Sequence, residues 1–558
     1  MSEPNDPLSA EKSLLVEANQ KPLFSRWGTF AKLSGPGWLQ GAITLGGGSL
    51  GGSLYLGVIG GYELLWLQPL MMIFGVLMLS VIGYVTLSTG EKPFQAINQH
   101  INPVLGWGWL IAAMLANLVW AMPQFSLGTA AIQQNFGILD GDNGDYFCAL
   151  ILFVIGSGVV WAYDSGSTGI KIFEIILKVM VAIVVLSFIG VVVVMAGELK
   201  WGEILAGFIP NLSLLSEPAS KFTEIIKESS NPDYWREVIL SSQRDKMVTA
   251  AATAVGINMT FLLPYSMLRK GWGKEHRGLA SFDLSIGLFL PFFLATTCVV
   301  IASASQFHTQ VDDEGLLNPS KATEQTKKLQ GAYNKNLDAF KAKVGEGSEP
   351  NEIDKKLAAM LVNRDAFQLA GSLENLTGSR AVSQTVFGIG VLGMAISTII
   401  ILMLINGFTV TEMLGAEIGG MKHKIGSILP GITGALGFLF LWGNADAKFM
   451  LVVPTSVFGM VLLPIAYIIF FLLINNKKLM GEALPQGNKR IILNIAMGVA
   501  LVAATIGAGY SIWDKAGWWG VGAVALFMYA AIECKLWQKL FKRLDRIESN
   551  TNKLSNEG

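Results

Sequence analysis

The chain has 558 residues, balances 41 basic against 41 acidic side chains, and is 52% hydrophobic with only 15% charged residues. Soluble domains carry about 25% charged residues, and zero net charge supplies no global field to attract nucleic acid, so no nucleic-acid partner is expected. Apolar runs near the roughly 20-residue length that crosses a bilayer recur along nearly the whole sequence, without the short alternating segments of a membrane barrel. The expected class is an all-α polytopic protein of the lipid bilayer.

Residues 1–34 are polar and mixed in charge, without the basic-then-apolar pattern of a cleaved signal, and are expected to be a cytoplasmic N-terminal segment before a retained first span. About twelve spans are expected, at 36–60, 62–88, 103–135, 147–164, 169–197, 247–268, 281–305, 380–413, 427–443, 449–474, 491–512 and 517–538. These group as a first repeat (35–198), an outer loop (199–246), a second repeat (247–474) with an outer insertion (306–378), a last pair (475–540) and a cytoplasmic tail (541–558). The insertion is charge-rich, with a helical-looking stretch from Ala322 to Ala370. Lysine and arginine cluster in alternate connections: Arg26 and Lys32, then Arg269 to Arg277, Lys422 and Lys424, and Lys477 to Arg490. Lys448 and Lys515 are single exceptions. This pattern predicts an integral, multi-pass protein with both termini cytoplasmic, in the plasma (inner) membrane if the cell is bacterial.

The first span contains Gly46-Gly47-Gly48-Ser49-Leu50-Gly51-Gly52-Ser53. Each glycine disfavours helix by about 1 kcal/mol relative to alanine, and backbone freed inside a bilayer must be satisfied by protein or by a water-filled cavity. The alternative is an unbroken helix of small residues packed closely on a neighbour. The sixth span places Gly256, Asn258, Met259, Thr260 and Pro264 from its middle onward. Two interrupted spans five apart are what an inverted five-plus-five repeat produces, with a binding site between the breaks. On this reading the substrate path is lined by Gly46, Gly48, Ser49, Ser53, Gly256, Asn258, Met259, Thr260 and, from the third span, Gln124.

Gly35-Pro36-Gly37-Trp38-Leu39, then Gly57 followed by Gly61-Tyr62-Glu63-Leu64-Leu65-Trp66, resemble the start and the first junction of the NRAMP divalent-metal transporters. Lys171-Ile172-Phe173-Glu174 through Lys178 is similar to that family's fifth helix. The resemblance implies a LeuT-like fold with broken helices 1 and 6, and transport of a cation by alternating access. Counted from Gly61-Tyr62, the family's metal-binding DPGN falls on Gly46-Gly47-Gly48-Ser49. Its methionine-proline-histidine falls near Met259-Thr260-Phe261, or one residue later with Tyr265 as anchor, and alignment on Gly128-Thr129-Ala130 puts its two proton-pathway acids on Met122 and Phe125. Without those ligands, a partly hydrated cation or a small amino-acid-like solute fits better than a bare metal ion. A membrane sensor that keeps the fold without transport is the third reading.

Ionisable residues within spans are functional candidates because burying them is unfavourable. Glu174, with Lys171 three residues before and Lys178 four after, is expected in an ion cluster or gate, and Lys178 as a stand-in for a coupling ion. Asp283 reads as an interfacial cap, and His100, His276, His308 and His423 fall in predicted loops. Cys148, Cys298 and Cys534 lie far apart with no metal spacing. No resident cofactor, metal cluster, phosphate loop or Ser/His/Asp set is expected, so an enzyme is the least favoured class.

Overall fold

The computed structural model describes residues 7–163, 165–311, 314–345, 349–362, 368–370, 380–441 and 452–556. The described residues are helical, joined by turns and short irregular segments, with no strand among them. After two amphipathic N-terminal helices (Pro7–Asn19 and Leu23–Leu33), the first span is broken in two. α1 (Pro36–Thr44) and α2 (Gly47–Gly60) meet at Leu45-Gly46 with a 52° bend. α3 (Leu67–Thr89), α4 (Pro103–Ala130), α5 (Gly144–Tyr163) and α6 (Ser167–Met195) follow.

The sixth span is also two helices, α7 (Pro232–Ala252) and α8 (Ile257–Arg269), separated by Thr253–Gly256. α7 begins at Pro232, well before the apolar run at Met247, because Asn231 caps it by accepting a hydrogen bond from the Tyr234 backbone. The last part of the expected outer loop is therefore helix. The seventh span runs through α9 (Arg277–Leu284), a wide turn (Ser285–Phe289) and α10 (Leu290–Phe307). Within the insertion lie α11 (Glu324–Val344) and α12 (Glu352–Met360), and after it α13 (Arg380–Met413), α14 (Met421–Leu436), α15 (Val452–Ile474) and α16 (Gly487–Asn556). The expected junction between the ninth and tenth spans, Lys448 included, falls outside the described residues.

By length and composition, eight described helices are able to cross a membrane, or ten if each bent pair counts as one span. The difference from the expected twelve arises partly because the last two expected spans form the single element α16. Its backbone departs from helix at Gly517, where φ is +50°, a conformation that glycine adopts without penalty. Contacts show that the chain reverses there. Arg490 donates to Asn475 at the end of α15, Lys515 reaches Asp245 in α7, and the Ala531 carbonyl accepts from Asn102 at the start of α4. Asn102 and Asn475 lie on the same, lysine-rich face, since Asn476 donates to the His100 carbonyl at 3.1 Å.

The buried core is aliphatic and aromatic and centres on α13, which packs against α4, α6 and α14, while α2 packs against α10 and α7. A second, smaller core lies on the opposite face, where α11 and α12 cover the start of α7. There the Trp235 and Phe340 rings stack with centroids 5.5 Å apart. Asp354, fully buried, accepts from Trp235 Nε1 at 2.7 Å, from the Ser230 hydroxyl at 2.5 Å and from the Asn351 backbone at 2.8 Å. The insertion is thus fastened to α7, the first half of the broken sixth span. Replacing Asp354→Ala leaves a buried indole N–H unsatisfied and is expected to destabilise this cap by on the order of 3 kcal/mol. Hydrogen exchange should rise across Glu324–Val344 and Glu352–Met360 while α4 and α13 remain protected.

Candidate functional site

The two helix breaks face each other. Met259, two residues beyond the start of α8, has its sulfur 3.2 Å from Thr44 Oγ1 at the end of α1 and 3.3 Å from the Gly256 backbone nitrogen. One thioether therefore accepts from both broken spans. The neighbouring elements supply the remaining partners. Gln124 Oε1 of α4 accepts the Gly47 N–H at 2.9 Å, satisfying one of the donors left open at the start of α2. Ser49 Oγ donates to the Thr44 carbonyl at 2.6 Å and lies 2.9 Å from that of Gly46. Ser397 of α13 donates to the Ala42 carbonyl at 3.0 Å, and Thr398 lies beside Ile43 and against Gly46.

The predicted path residues thus come together, but most of their polar atoms are engaged. Ser53 donates to the Ser49 carbonyl and to Gln68. Thr260 donates to the Ile257 carbonyl and accepts from Trp109 Nε1 at 2.8 Å. Asn258 accepts from the Met259 backbone and donates to Asn117 Oδ1 at 3.0 Å. Ser49, Ser53, Asn258, Met259 and Thr260 are all buried. In Gly46–Ser53, Gly48 is the one residue with partial solvent access. No acidic or basic side chain occurs in 33–62 or in 247–268.

Two polar groups that the sequence reading passed over lie beside these breaks. Gln40 is fully buried, and neither its amide oxygen nor its nitrogen has a hydrogen-bond partner among the described residues. It sits one turn before Thr44 on the same face of α1. Asn117 Nδ2 is likewise unpartnered among the described residues. Each is a lone amide in an apolar run, which was the available signal.

The lysine-rich face holds the beginning of α1 in place. Asp283 does not cap its own helix. It is buried, and its Oδ2 accepts the backbone N–H groups of Gly35 at 3.1 Å and Gly37 at 2.7 Å, placing a carboxylate at the positive end of α1. Glu174 pairs with Lys270 at 2.8 Å rather than with Lys171 or Lys178 of its own helix. Lys178 donates to the Ser34 carbonyl at 2.7 Å. Of the histidines expected in loops, His423 lies within α14 and is fully buried.

A cavity of about 440 Å³ opens on the opposite face, lined by Tyr62, Glu63, Glu203, Lys221, Glu224 and His308 among others. His308 Nδ1 donates to the Val58 carbonyl at 3.0 Å, and burial pushes the imidazole below its ordinary value of 6.5, with Lys221 acting in the same direction and Glu63 and Glu203 against it. A depressed histidine binds its proton more readily in the unfolded chain, so its stabilising term is complete above pH 6.5 and is lost as pH falls toward the lowered value.

The profile of the natural resistance-associated macrophage protein-like family matches residues 37–337 and 356–514. "Metal transporter Nramp2" of Oryza sativa subsp. japonica is 27% identical over 210 residues, 35% of this chain and 35% of that protein. The match therefore spans about a third of the length of that curated relative. Two crystal structures of the Eremococcus coleocola manganese transporter are each 13% identical with a TM-score of 0.61. The structure of a histidine-to-alanine variant covers 92% of this chain and 95% of that one. The structure of a complex with an aromatic bis-isothiourea substituted compound covers 93% and 96%. At this identity the likeness is one of fold, and it is LeuT-like.

A Cβ added at Gly46 would overlap the Thr398 hydroxyl. Gly46→Ala is expected to destabilise the protein by about 1–3 kcal/mol, and adding Thr398→Ala should recover most of the loss. Thermal unfolding in detergent measures both. His308→Gln should flatten the dependence of unfolding temperature on pH below 6.5.

Proposed function

The chain belongs to the natural resistance-associated macrophage protein-like family, and on that premise we propose that it is a secondary transporter moving a cation by alternating access, with a divalent metal ion as the first substrate to test. The observation that carries this reading is the meeting of two broken spans at Met259, with the unpartnered amide of Gln40 one turn away. A dehydrated divalent ion is held by anionic or strongly dipolar oxygens, and none of the path residues Gly46, Gly48, Ser49, Ser53, Gln124, Gly256, Asn258, Met259 and Thr260 is charged. A partly hydrated ion contacting amide oxygens, backbone carbonyls and the Met259 thioether suits this donor set. The same lack of charge favours a second reading, a small polar solute held by helix-end dipoles.

In the proposed cycle Glu174 and Lys178 serve as the gate on the lysine-rich face, together with Lys270 and Asp283. That face is assigned to the cytoplasm on the positive-inside pattern, which places the His308 cavity and the insertion outside. Passage requires α1 to release Met259 and expose Gln40, while the Glu174–Lys270 pair separates.

Purified protein in liposomes should take up manganese or magnesium with an imposed proton or sodium gradient, and Gly48→Val should abolish uptake while leaving the detergent-solubilised fold intact. Uptake of amino acids without divalent cations would establish the solute reading, and no flux of either would leave the sensor reading in its place. Glu174→Gln should accelerate hydrogen exchange across Pro36–Thr44 by roughly tenfold, the weight of one charge-assisted hydrogen bond.

A further inference from the structure

A cavity of about 620 Å³ on the lysine-rich face lies between the helix before α1, the start of α6 and the end of α8. Five basic side chains line it, Lys32, Lys171, Lys178, Arg269 and Lys270, against two acidic ones, Glu11 and Glu174. Glu174 is taken up by Lys270, whose Nζ contacts both carboxylate oxygens at 2.8 and 2.9 Å, which leaves four basic side chains against Glu11 alone. None of Lys32, Lys171, Lys178 and Arg269 lies within 4 Å of a carboxylate among the described residues. Arg269 Nε is buried with no partner among those residues.

Concentrating an excess of cations in a concave site is unfavourable unless an anion joins them, and the volume falls within the 300–1,000 Å³ of small-molecule sites. The surroundings identify the anion's other half. α6 leaves this cavity with an exposed apolar stripe, Ile172, Ile175, Val179, Ile183 and Leu186, at the three- and four-residue spacing of one helix face. Ile175 belongs both to the cavity lining and to the stripe. A ligand that fills both has a phosphate at one end and hydrocarbon at the other.

We propose that this cavity binds the phosphate headgroup of an anionic phospholipid, with an acyl chain lying along the α6 stripe. Lys32 and Lys171 meet the phosphate from the exposed side and Arg269 from the buried side, a geometry suited to planar bidentate contact. The bound headgroup bridges three elements that converge on the start of α1, since Lys178 of the same cavity donates to the Ser34 carbonyl. Occupancy therefore strengthens closure of the lysine-rich face, whatever the transported substrate.

The test uses the full chain in detergent and follows its unfolding temperature while phosphatidylglycerol, phosphatidylcholine or inorganic phosphate is titrated in. Phosphatidylglycerol should raise the unfolding temperature saturably, and phosphatidylcholine should not. Lys32 and Lys171 are exposed, so the K32A/K171A variant should unfold like the parent without lipid. Each basic residue near a membrane surface contributes roughly fivefold in affinity for anionic lipid, so the pair should weaken phosphatidylglycerol binding about 25-fold, and K32R/K171R should retain it. If the double variant unfolds early, K171A alone should show about fivefold weakening by the same reasoning. Equal protection by phosphatidylcholine, or an unchanged response in K32A/K171A and K171A, overturns the site. Equal protection by millimolar inorganic phosphate overturns its assignment to a lipid.

Discussion

A helix interrupted inside a bilayer frees backbone groups that have no water to turn to, and the centre of this molecule is arranged around that constraint. Side chains close both interruptions, from neighbouring helices at the first and from α8 itself at the second. Gln124 accepts from Gly47, Ser397 donates to Ala42, and the Met259 sulfur accepts from Thr44 and Gly256 together. Sulfur is a weak acceptor with a polarisable, flexible stem. It holds the two breaks together less firmly than a carboxylate would, so a rearrangement here exchanges weak bonds for weak bonds. The close approach also explains the composition of the first break, since at Gly46 any larger side chain would occupy the space of Thr398.

Architecture was more legible in the sequence than chemistry was. Glycine density in 46–53 and the Gly256–Pro264 cluster pointed to the two broken spans, but each break lies at the front edge of its stretch. Gly47–Gly60 and Ile257–Arg269 are regular helix, the glycines of 47–52 and Pro264 included, because tertiary packing overrides local propensity there. The beginning of α7 was not legible, because its first turns are covered by the insertion through Trp235, Phe340 and Asp354. Hydropathy registers lipid contact and passes over helices sheltered by protein. The pairing of Glu174 was misjudged for a related reason. Its nearest bases by spacing are Lys171 and Lys178, yet it meets Lys270, 96 residues away. Local rules weigh neighbours on one helix, whereas buried charges pair with whatever tertiary packing brings within reach.

Asp283 shows the same limit from the other direction. Placed at the start of a span, it reads as a cap for that span, and it is a cap for a different one. A buried carboxylate that accepts two backbone N–H groups at a helix N-terminus satisfies orphan donors and the helix dipole at once. Sequence position identified the role, but only the fold could say which helix receives it.

These contacts make α1 a short strut held at both ends by different partners. Its nine residues span about 13 Å. Asp283 and Lys178 hold the beginning from α9 and α6, while Met259, Ser397 and Thr398 hold the end from α8 and α13. A rigid strut of this length cannot swing at one end without disturbing the other. In the proposed cycle, opening the lysine-rich face by separating Glu174 from Lys270 and freeing Gly35 and Gly37 would pull Thr44 away from Met259, and a change at the breaks would be felt at the same ion cluster. Such a coupling would need no chain of intermediates, because one helix makes both sets of contacts.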